Sequence, residues 1–454
     1  MYGNSNDLPN NLSQKGLRNI QSVSLWDSLC YNLIHVIPIY LQGIFTRNRF
    51  WVSFWTKFHP DPLSVRFGRH LRRKYRKDYL YIHILTTRSL LVFDLDGIQH
   101  VLDHSPQIYA DARLKREGMS HFQPNALTIS RGEEWKERRR FNETVLNTPC
   151  AMHHCAGYFL DVVRQEIQSR HQQSGPLRSW TDFDDLFEKI TLQIIFGKAA
   201  REDTSLMGPL KQMMRESNRA FALGKSRYFD AFYQRIQTYL NSPQEPSLVA
   251  LCRQAPSTES TRVENQIPHW MFAMDDSLAP NTVRALALIV AHTTVEERVR
   301  MEMGLYDLST PQGITELKYL EGCVQEAMRL WPTVPWLVRE TLTEDTLGGA
   351  VIPANTQVLI LNNFNCRDRD TYPEADSFYP PLWLNDSVDY RFNHLSNGTQ
   401  VCAGKAVALF IAKSVLATLL AKERYILKRP LLDPQKPMPD RFNYFDLIFD
   451  SHPC

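Results

Sequence analysis

The sequence predicts a mainly α fold with small β-sheets. Three observations carry that prediction. Apolar residues recur at helical spacing over most of the chain, whereas strict alternation is confined to a few short pieces. Of 454 residues, 43% are hydrophobic and 11% aromatic, enough to bury a large core and to exclude wholesale disorder. Finally, there is no internal repeat, no low-complexity tract and no stretch with the composition of a linker between halves.

The elements follow in order. Residues 1–24 are polar and lack a secretory layout. From Ser28 to Thr46 no Asp, Glu, Lys or Arg appears, but Asn32, His35, Pro38, Gln42 and Gly43 interrupt the run, which weighs against a spanning helix. Arg47, Arg49, Trp51 and Trp55 follow, a mixture that suits a membrane interface. An ordinary packed helix is the plainer alternative. Residues 79–84 (YLYIHI) and 89–93 (SLLVF) alternate and form a hairpin. Helical periodicity covers 133–147, 156–172, 181–196, 207–240, 269–304, 314–331 and 403–421. Strand-like pieces return at 350–362 and near 440–450, and the least structured stretch is 241–266. Nothing reads as a linker between independently folding halves, so a single large domain is expected.

Charge and cysteine content exclude some function classes. A net charge of +3 with no Lys/Arg run leaves no footprint for nucleic acid. Eight cysteines scattered along so long a chain fit a reducing compartment, the cytoplasm, and not a disulfide scaffold. Cys150, His153, His154 and Cys155 lack the second ligand pair a structural zinc needs, so a helix start is the plainer reading there.

Four places carry chemistry. In FNHLSNGTQVCAGKAVALF (392–410), Cys402 stands where a polar loop becomes an apolar helix. The helix macrodipole and unpaired N–H groups favour a thiolate at such a position. Gly404 admits a bulky partner close to the backbone and Gly398 permits a turn. A thiolate against a large flat group points to axial ligation of haem iron, although for this stretch alone a buried structural cysteine is the commoner case. In YLEGCVQEAMRLWP, Glu326 and Arg329 share a helix face amid Leu320, Val324, Ala327, Met328 and Leu330, which makes them a buried ion pair. Trp135 and Arg139 lie i,i+4 and together suit a carboxylate, or else belong to a solvated basic helix. In HWMFAMDDSLAPNTVRALALIVAH, Asp275, Asp276 and Ser277 interrupt an apolar helix. Either Asp276 or Ser277 caps a helix beginning at Leu278, with Pro280 in its first turn, or the helix runs through. In the second case Pro280 gives no hydrogen bond to the Asp276 carbonyl and the helix must bulge.

The order and spacing of these four motifs resemble the cytochrome P-450 superfamily, of the bacterial type without a fused reductase. The piece Leu317-Lys-Tyr-Leu320 before the Glu-x-x-Arg helix, Pro332 and Arg339 after it, and the approach CRDRDTYPEADSFYPPLW (366–383) to the cysteine loop extend the likeness. It runs from about residue 60 to the C-terminus, which implies a single haem-thiolate domain over 60–454 preceded by an N-terminal extension, 1–59, membrane-interfacial in one reading. The resemblance implies that family's fold, with haem b buried between a long distal helix and a proximal cysteine loop. It implies Cys402 as the thiolate ligand of iron, with Trp135, Arg139 and Arg339 on the haem propionates, and Gly398 and Gly404 in the cofactor-binding loop. Glu326 and Arg329 would be the structural pair that locks the loop, and Asp276 and Ser277 the catalytic pair relaying protons to bound dioxygen. The implied activity is monooxygenation of a hydrophobic organic substrate by O2, an oxidoreductase acting on paired donors.

No flavin or iron–sulfur segment is seen after the cysteine helix, so electrons from NAD(P)H are expected through a separate ferredoxin, flavodoxin or reductase. Lys405, Lys413, Arg138 and Arg140 are the cations expected on its docking face. Residues 110–130, 207–240, Phe272, Met274, Leu337 and 441–447 are expected around the substrate. Several positions depart from the family pattern: Leu395 and Gln400 in the cysteine loop, Pro381-Leu382 before it, and Met274 and Ser277 on the distal helix. They keep alive a peroxide-using or rearranging haem-thiolate enzyme, and a non-catalytic haem sensor. They also raise the expectation that Pro280 supplies the helix distortion a glycine usually permits.

Overall fold

The hairpin expected at 79–93 seeds the larger sheet. In the computed structural model, which describes residues 19–58, 63–219, 224–384 and 390–454, five strands run in the order Tyr79–Ile84, Thr87–Val92, Gln357–Leu361, Trp336–Thr341 and Tyr109–Asp111. All neighbours are antiparallel except Thr87–Val92 with Gln357–Leu361. The last pairing sets Asp111 opposite Arg339. Two-stranded ribbons, Asp345–Leu347 with Ala350–Ile352 and Glu423–Arg429 with Ile448–Pro453, complete the small β content. Everything else of regular structure is helical, so the fold is mainly α with small sheets.

The helices largely follow their periodicity: Gly132–Val145, Ala156–Ser174, Trp180–Phe196, Lys318–Leu330 and Lys405–Lys422. Two expected helices are divided. The 207–240 stretch becomes Met207–Ser217 and Phe229–Asn241, and residues 220–223 lie outside the described residues. The 269–304 stretch breaks at His292, whose backbone is extended (φ −115°, ψ 90°), giving a separate helix Thr293–Met303. Lys405–Lys422 is apolar nearly all round and is correspondingly enclosed, with Leu409, Phe410, Ile411, Val415, Leu416 and Leu420 in the core.

Residues 19–58, expected as an extension, pack onto the sheet. Ser24 caps the helix Leu25–Tyr31 by accepting the Asp27 N–H at 3.1 Å. A π-helical turn Asn32–Val36 and the helix Ile37–Gln42 continue it. Asn32 bridges to the hairpin through the His83 carbonyl and the Leu85 N–H. Tyr31 and Val36 are fully buried against Leu80, Leu91 and Leu359, each stabilising the contact by roughly 1.5–3 kcal/mol. The opposite face of the same helix exposes Leu25, Trp26, Leu29, Leu33, Ile37, Leu41 and Ile44. Among the described residues no helix is long and apolar enough to cross a membrane.

Candidate active site around Cys402

The long helix over the site is continuous. Ile267–Phe272, Ala273–Leu278 and Ala279–Ala291 join through residues in helical conformation, and the middle segment is a π-helical turn in which the Ala279 N–H reaches the Met274 carbonyl. The capped-start alternative is therefore excluded. Pro280, without an N–H, deprives the Asp276 carbonyl of its α-helical donor, and the bulge lies in the turn immediately before it. π-Bulges of this kind mark functional segments of helices.

Opposite this helix, the loop 392–404 closes on itself. The Cys402 N–H donates to the Leu395 carbonyl at 2.9 Å, and Asn397 Nδ2 donates to Asn393 Oδ1 at 2.8 Å. Gly398 adopts φ +63°, and a Cβ there would lie 2.4 Å from the Leu102 carbonyl oxygen, so both conformation and space require glycine. At Gly404 no protein atom would approach a Cβ closer than 3.9 Å, so the protein itself does not require glycine at that position. Cys402 sits deep in the molecule and is still partly accessible. Burial pushes its thiol above the usual range, against the pull of the Gly404 N–H, Arg139 and Lys405. The helix itself begins at Lys405, three residues on, and desolvation is a larger influence on the thiol than the macrodipole and N–H groups expected to favour its thiolate.

The helix Gly132–Val145 brings Trp135 and Arg139 to this loop. Arg139 Nη1 donates to the Val401 carbonyl at 2.6 Å, directly before Cys402, and Nε donates to Glu143 at 2.6 Å. Arg339 reaches the far end of the loop indirectly. Its Nε donates to Ser105 Oγ at 3.3 Å, the Ser105 carbonyl accepts from Thr399 Oγ1, and Nη1 faces Asp111 at 3.4 Å. Among the described residues, no hydrogen bond engages Trp135 Nε1 or the Nη2 atoms of Arg139 and Arg339, and none of these atoms is sealed off.

Glu326 and Arg329 are wholly buried, and Arg329 Nε and Nη2 donate to the two Glu326 carboxylate oxygens at 2.7 Å each. Arg329 also donates to the carbonyls of Cys366, Ala375 and Ser377 at 2.6–2.7 Å, so every donor is satisfied. Glu326 accepts the Trp383 indole N–H at 2.9 Å and the Tyr379 N–H at 3.1 Å. Trp383 in turn meets Phe392 and His394 edge-to-face, with centroids 5.6 and 5.0 Å away. The pair is thereby joined to the start of the cysteine loop.

On the distal side Ser277 Oγ lies 2.9 Å from Thr333 Oγ1. Asp276 Oδ2 is buried without a partner, and burial, then the neighbouring Asp275, hold this carboxyl well above the carboxylate range. Asp275 is also pushed up, to about 7, by burial and by Asp184 and Glu188, while Lys211 at 3.1 Å opposes the shift. The structure adds two groups that sequence reasoning missed. One is Trp383. The other is Arg47, placed at a membrane interface from sequence, whose Nη2 donates to the Thr333 carbonyl at 3.3 Å and whose charge acts on Asp276. Its distance of 286 residues from Thr333 along the chain leaves no local signal.

Two docking-face cations are corrected. Lys413 is buried and tied to Glu321 and the Thr315 carbonyl at 2.8 and 2.9 Å. Arg138 is buried against Ser130 and the Ser260 carbonyl. Lys405 and Arg140 are exposed. Of the residues expected near substrate, Phe122 and Phe272 meet edge-to-face at 6.1 Å, whereas His121 is engaged by Glu216 at 2.8 Å.

Comparison with known proteins places this geometry. The cytochrome P450 family model matches residues 228–442. The chain is 23% identical over 403 residues to cyclooctat-9-en-7-ol 5-monooxygenase of Streptomyces melanosporofaciens, covering 81% of this chain and 83% of that protein. It is 29% identical over 186 residues to probable cytochrome P450 4d20 of Drosophila melanogaster, a match spanning 39% of this chain and 36% of that protein. The alignment to cytochrome P450 4c3 of the same organism spans 32% of that relative, so these two matches take in only about a third of their relatives' length. In fold, the retinoic acid-bound cyanobacterial CYP120A1 superposes with a TM-score of 0.69 at 16% identity, over 88% of this chain and 96% of that one. The chain belongs to the cytochrome P450 superfamily.

Proposed function

We propose that the chain is a haem-thiolate monooxygenase that inserts one atom of O2 into a hydrophobic organic substrate, with electrons from a separate donor. The observation that carries this reading is the approach of Arg139 to the Val401 carbonyl, which fixes the backbone at Cys402, while the helix Lys405–Lys422 that follows meets the bulged turn Ala273–Leu278. The residues present fit haem b. Ser396 Oγ, Gln400 Oε1 and both His394 ring nitrogens are buried without protein partners along the loop. The open side of Gly404 leaves room for a flat group, and Trp135 Nε1 with the Nη2 atoms of Arg139 and Arg339 offer donors to its propionates. Cys402 would hold its iron through the thiolate sulfur. Once bound, a haem with a thiolate ligand supplies reductive O–O cleavage.

The chain's own part is proton handling and the exclusion of water. Asp276, whose carboxyl burial favours in its protonated form, serves as a general acid, with the Ser277 hydroxyl fixed by Thr333 as relay. Phe122, Phe272 and Met274 present apolar surface beside them. The test is product formation by haem-loaded protein with NADPH-driven electron donors, compared with peroxide alone and with neither. Turnover only in the first arm supports the reading. Turnover with peroxide alone transfers the assignment to a peroxide-using enzyme, and none in any arm favours the sensor.

Lys405 and Arg140, exposed on the cysteine side, suit an acidic electron donor, and a reduction rate that falls with added salt would support this. A peripheral bilayer contact is favoured by a different face. Leu25 (81% exposed), Trp26 (69%), Leu33 (52%) and Phe50 (67%) extend an apolar stripe along residues 25–50. Exposed Arg66, Arg73, Lys74, Arg76 and Lys77 lie on and just after the helix Leu63–Tyr75, which is joined to the stripe's start by the Lys74–Asp27 ion pair at 2.7 Å. Co-sedimentation with vesicles containing anionic phosphatidylglycerol, lost in Leu33→Glu, is the expected result. Equal recovery of wild type and variant in the supernatant would contradict it.

A further inference from the structure

Near the bulged helix lie three guanidinium groups that, among the described residues, form no ion pair. Arg47 arrives on the loop after Gln42, which is clamped by Asn218: its Oδ1 accepts the N–H groups of Ile44 and Phe45, each at 2.8 Å, and its Nδ2 donates to the Thr46 carbonyl. Phe45 packs edge-to-face on Phe122, centroids 5.7 Å apart, and Phe122 on Phe272, so this loop forms part of the chamber wall. Arg47 itself is held by the carbonyls of Gly43 and Thr333, and Thr333 holds Ser277. Arg284, two turns along the helix from Ser277, donates to the Trp331 carbonyl at 3.0 Å and to Asn281 at 3.1 Å, and its guanidinium lies 5.2 Å from the Tyr444 ring centre. Its Nε is buried without a partner. Arg441, on the 441–447 turn, has Nη1 in the same condition.

All three sit deep in the protein and still keep accessible surface, the signature of groups lining an interior space. Among the described residues none forms an ion pair. Burial lowers the pKa of each, Arg284 to about 10, and Arg47 disfavours the charges of the other two. The anions nearby offset them only in part: Asp276 is held towards its neutral form, and Asp440 favours the Arg441 charge without forming an ion pair with it. Buried cations kept without counter-charges are costly. A ligand anion would relieve that cost.

We infer that the chamber takes an organic acid, an apolar body bearing one carboxylate, and that the carboxylate seats against Arg47, Arg284 and Arg441 while the apolar end lies among Phe122, Phe272 and Met274. Charge-assisted hydrogen bonds to guanidinium groups each contribute roughly 1.5–3 kcal/mol, or about ten- to a hundredfold in affinity. This assigns a substrate class to the oxidation site proposed above and rests on that reading only for where the reaction occurs.

The test is calorimetric titration of the haem-loaded full chain with decanoic, dodecanoic and hexadecanoic acids and their methyl esters. At least one acid is expected to bind about tenfold or more tightly than its ester, and Arg47→Gln is expected to cut that preference to about threefold or less while ester binding is unchanged. If no acid outcompetes its ester, or if Arg47→Gln and Arg284→Gln both keep the full preference, the inference is overturned. The same samples separate the two readings through their reduced carbon monoxide spectrum. A thiolate-type band with no acid preference removes only the anion site, and an acid preference without that band removes only the haem-thiolate reading.

Discussion

The Trp383 indole Nε1 donates to Glu326 Oε1 at 2.9 Å. Arg329 occupies one edge of the Glu326 carboxylate through its Nε and Nη2, and the indole satisfies a further lone pair where no second arginine is present. Because the same ring meets Phe392 and His394, the hydrogen bond also fixes the entry to the cysteine loop. A buried carboxylate with every lone pair used holds its position, and one left short would not.

Trp383→Phe keeps the ring contact and removes the N–H. It is expected to destabilise the fold by about 1–3 kcal/mol and to raise the haem-free fraction on purification. Denaturant unfolding and the haem-to-protein absorbance ratio report the two effects, and an unchanged ratio with unchanged stability would show that the indole is mere filling.

Glu326→Ala should be worse, because it strands the Arg329 charge in a site with no solvent exposure. A loss of about 3–5 kcal/mol is expected. Arg329→Lys is not a rescue, since one ammonium does not reach the three carbonyls and the carboxylate that the guanidinium fork holds. Paired denaturation curves of both variants check this.

Pro280→Ala restores an N–H to the helix and permits an ordinary α-helical bond to the Asp276 carbonyl. The π-helical turn Ala273–Leu278 should relax, moving Asp276 and Ser277. The expected outcome is more peroxide released per NADPH consumed, roughly two- to tenfold, given that misplaced proton donors commonly cost 10²–10⁴ in rate when lost altogether. Unchanged coupling would count against the link between the proline and the bulge.

The buried Asp275 carboxyl titrates near 7 in the fold, against an ordinary value of 3.8. Between those values the folded chain binds more protons than the unfolded one, so this group makes stability fall as pH rises from about 4 to 7. Asp275→Asn removes that contribution. The loss of Tm between pH 5 and pH 8 should therefore be smaller in the variant, by a few degrees, as scanning calorimetry would show. An identical or steeper fall would mean that Lys211, Asp184 and Glu188 control the cluster without Asp275.

What the sequence discloses here depends on how local the cause is. Glu326 and Arg329 are three residues apart, and the apolar residues around them suffice to announce a buried pair. Gly398 is legible because a turn needs it, and Pro280 because a missing N–H has one consequence in a continuous helix. Lys413 and Arg138 mislead for the converse reason: a cation on a helix looks solvated until a partner 92 residues away in one case, and a loop carbonyl 122 residues away in the other, covers it. Trp383 is visible only as part of Pro-Leu-Trp, and nothing nearby in sequence says that its N–H reaches the Glu326 carboxylate. Arg47 reaches Thr333 solely because the N-terminal segment wraps the sheet before entering the chamber, a matter of topology that periodicity does not encode.

Whether Cys402 supplies a thiolate to haem iron is read from the absorption spectrum of the reduced protein under carbon monoxide. A strongly red-shifted Soret band is expected in the wild type, and its disappearance in Cys402→Ser. A band at the ordinary shorter wavelength in the wild type, or a red-shifted band that survives the substitution, would contradict this ligation.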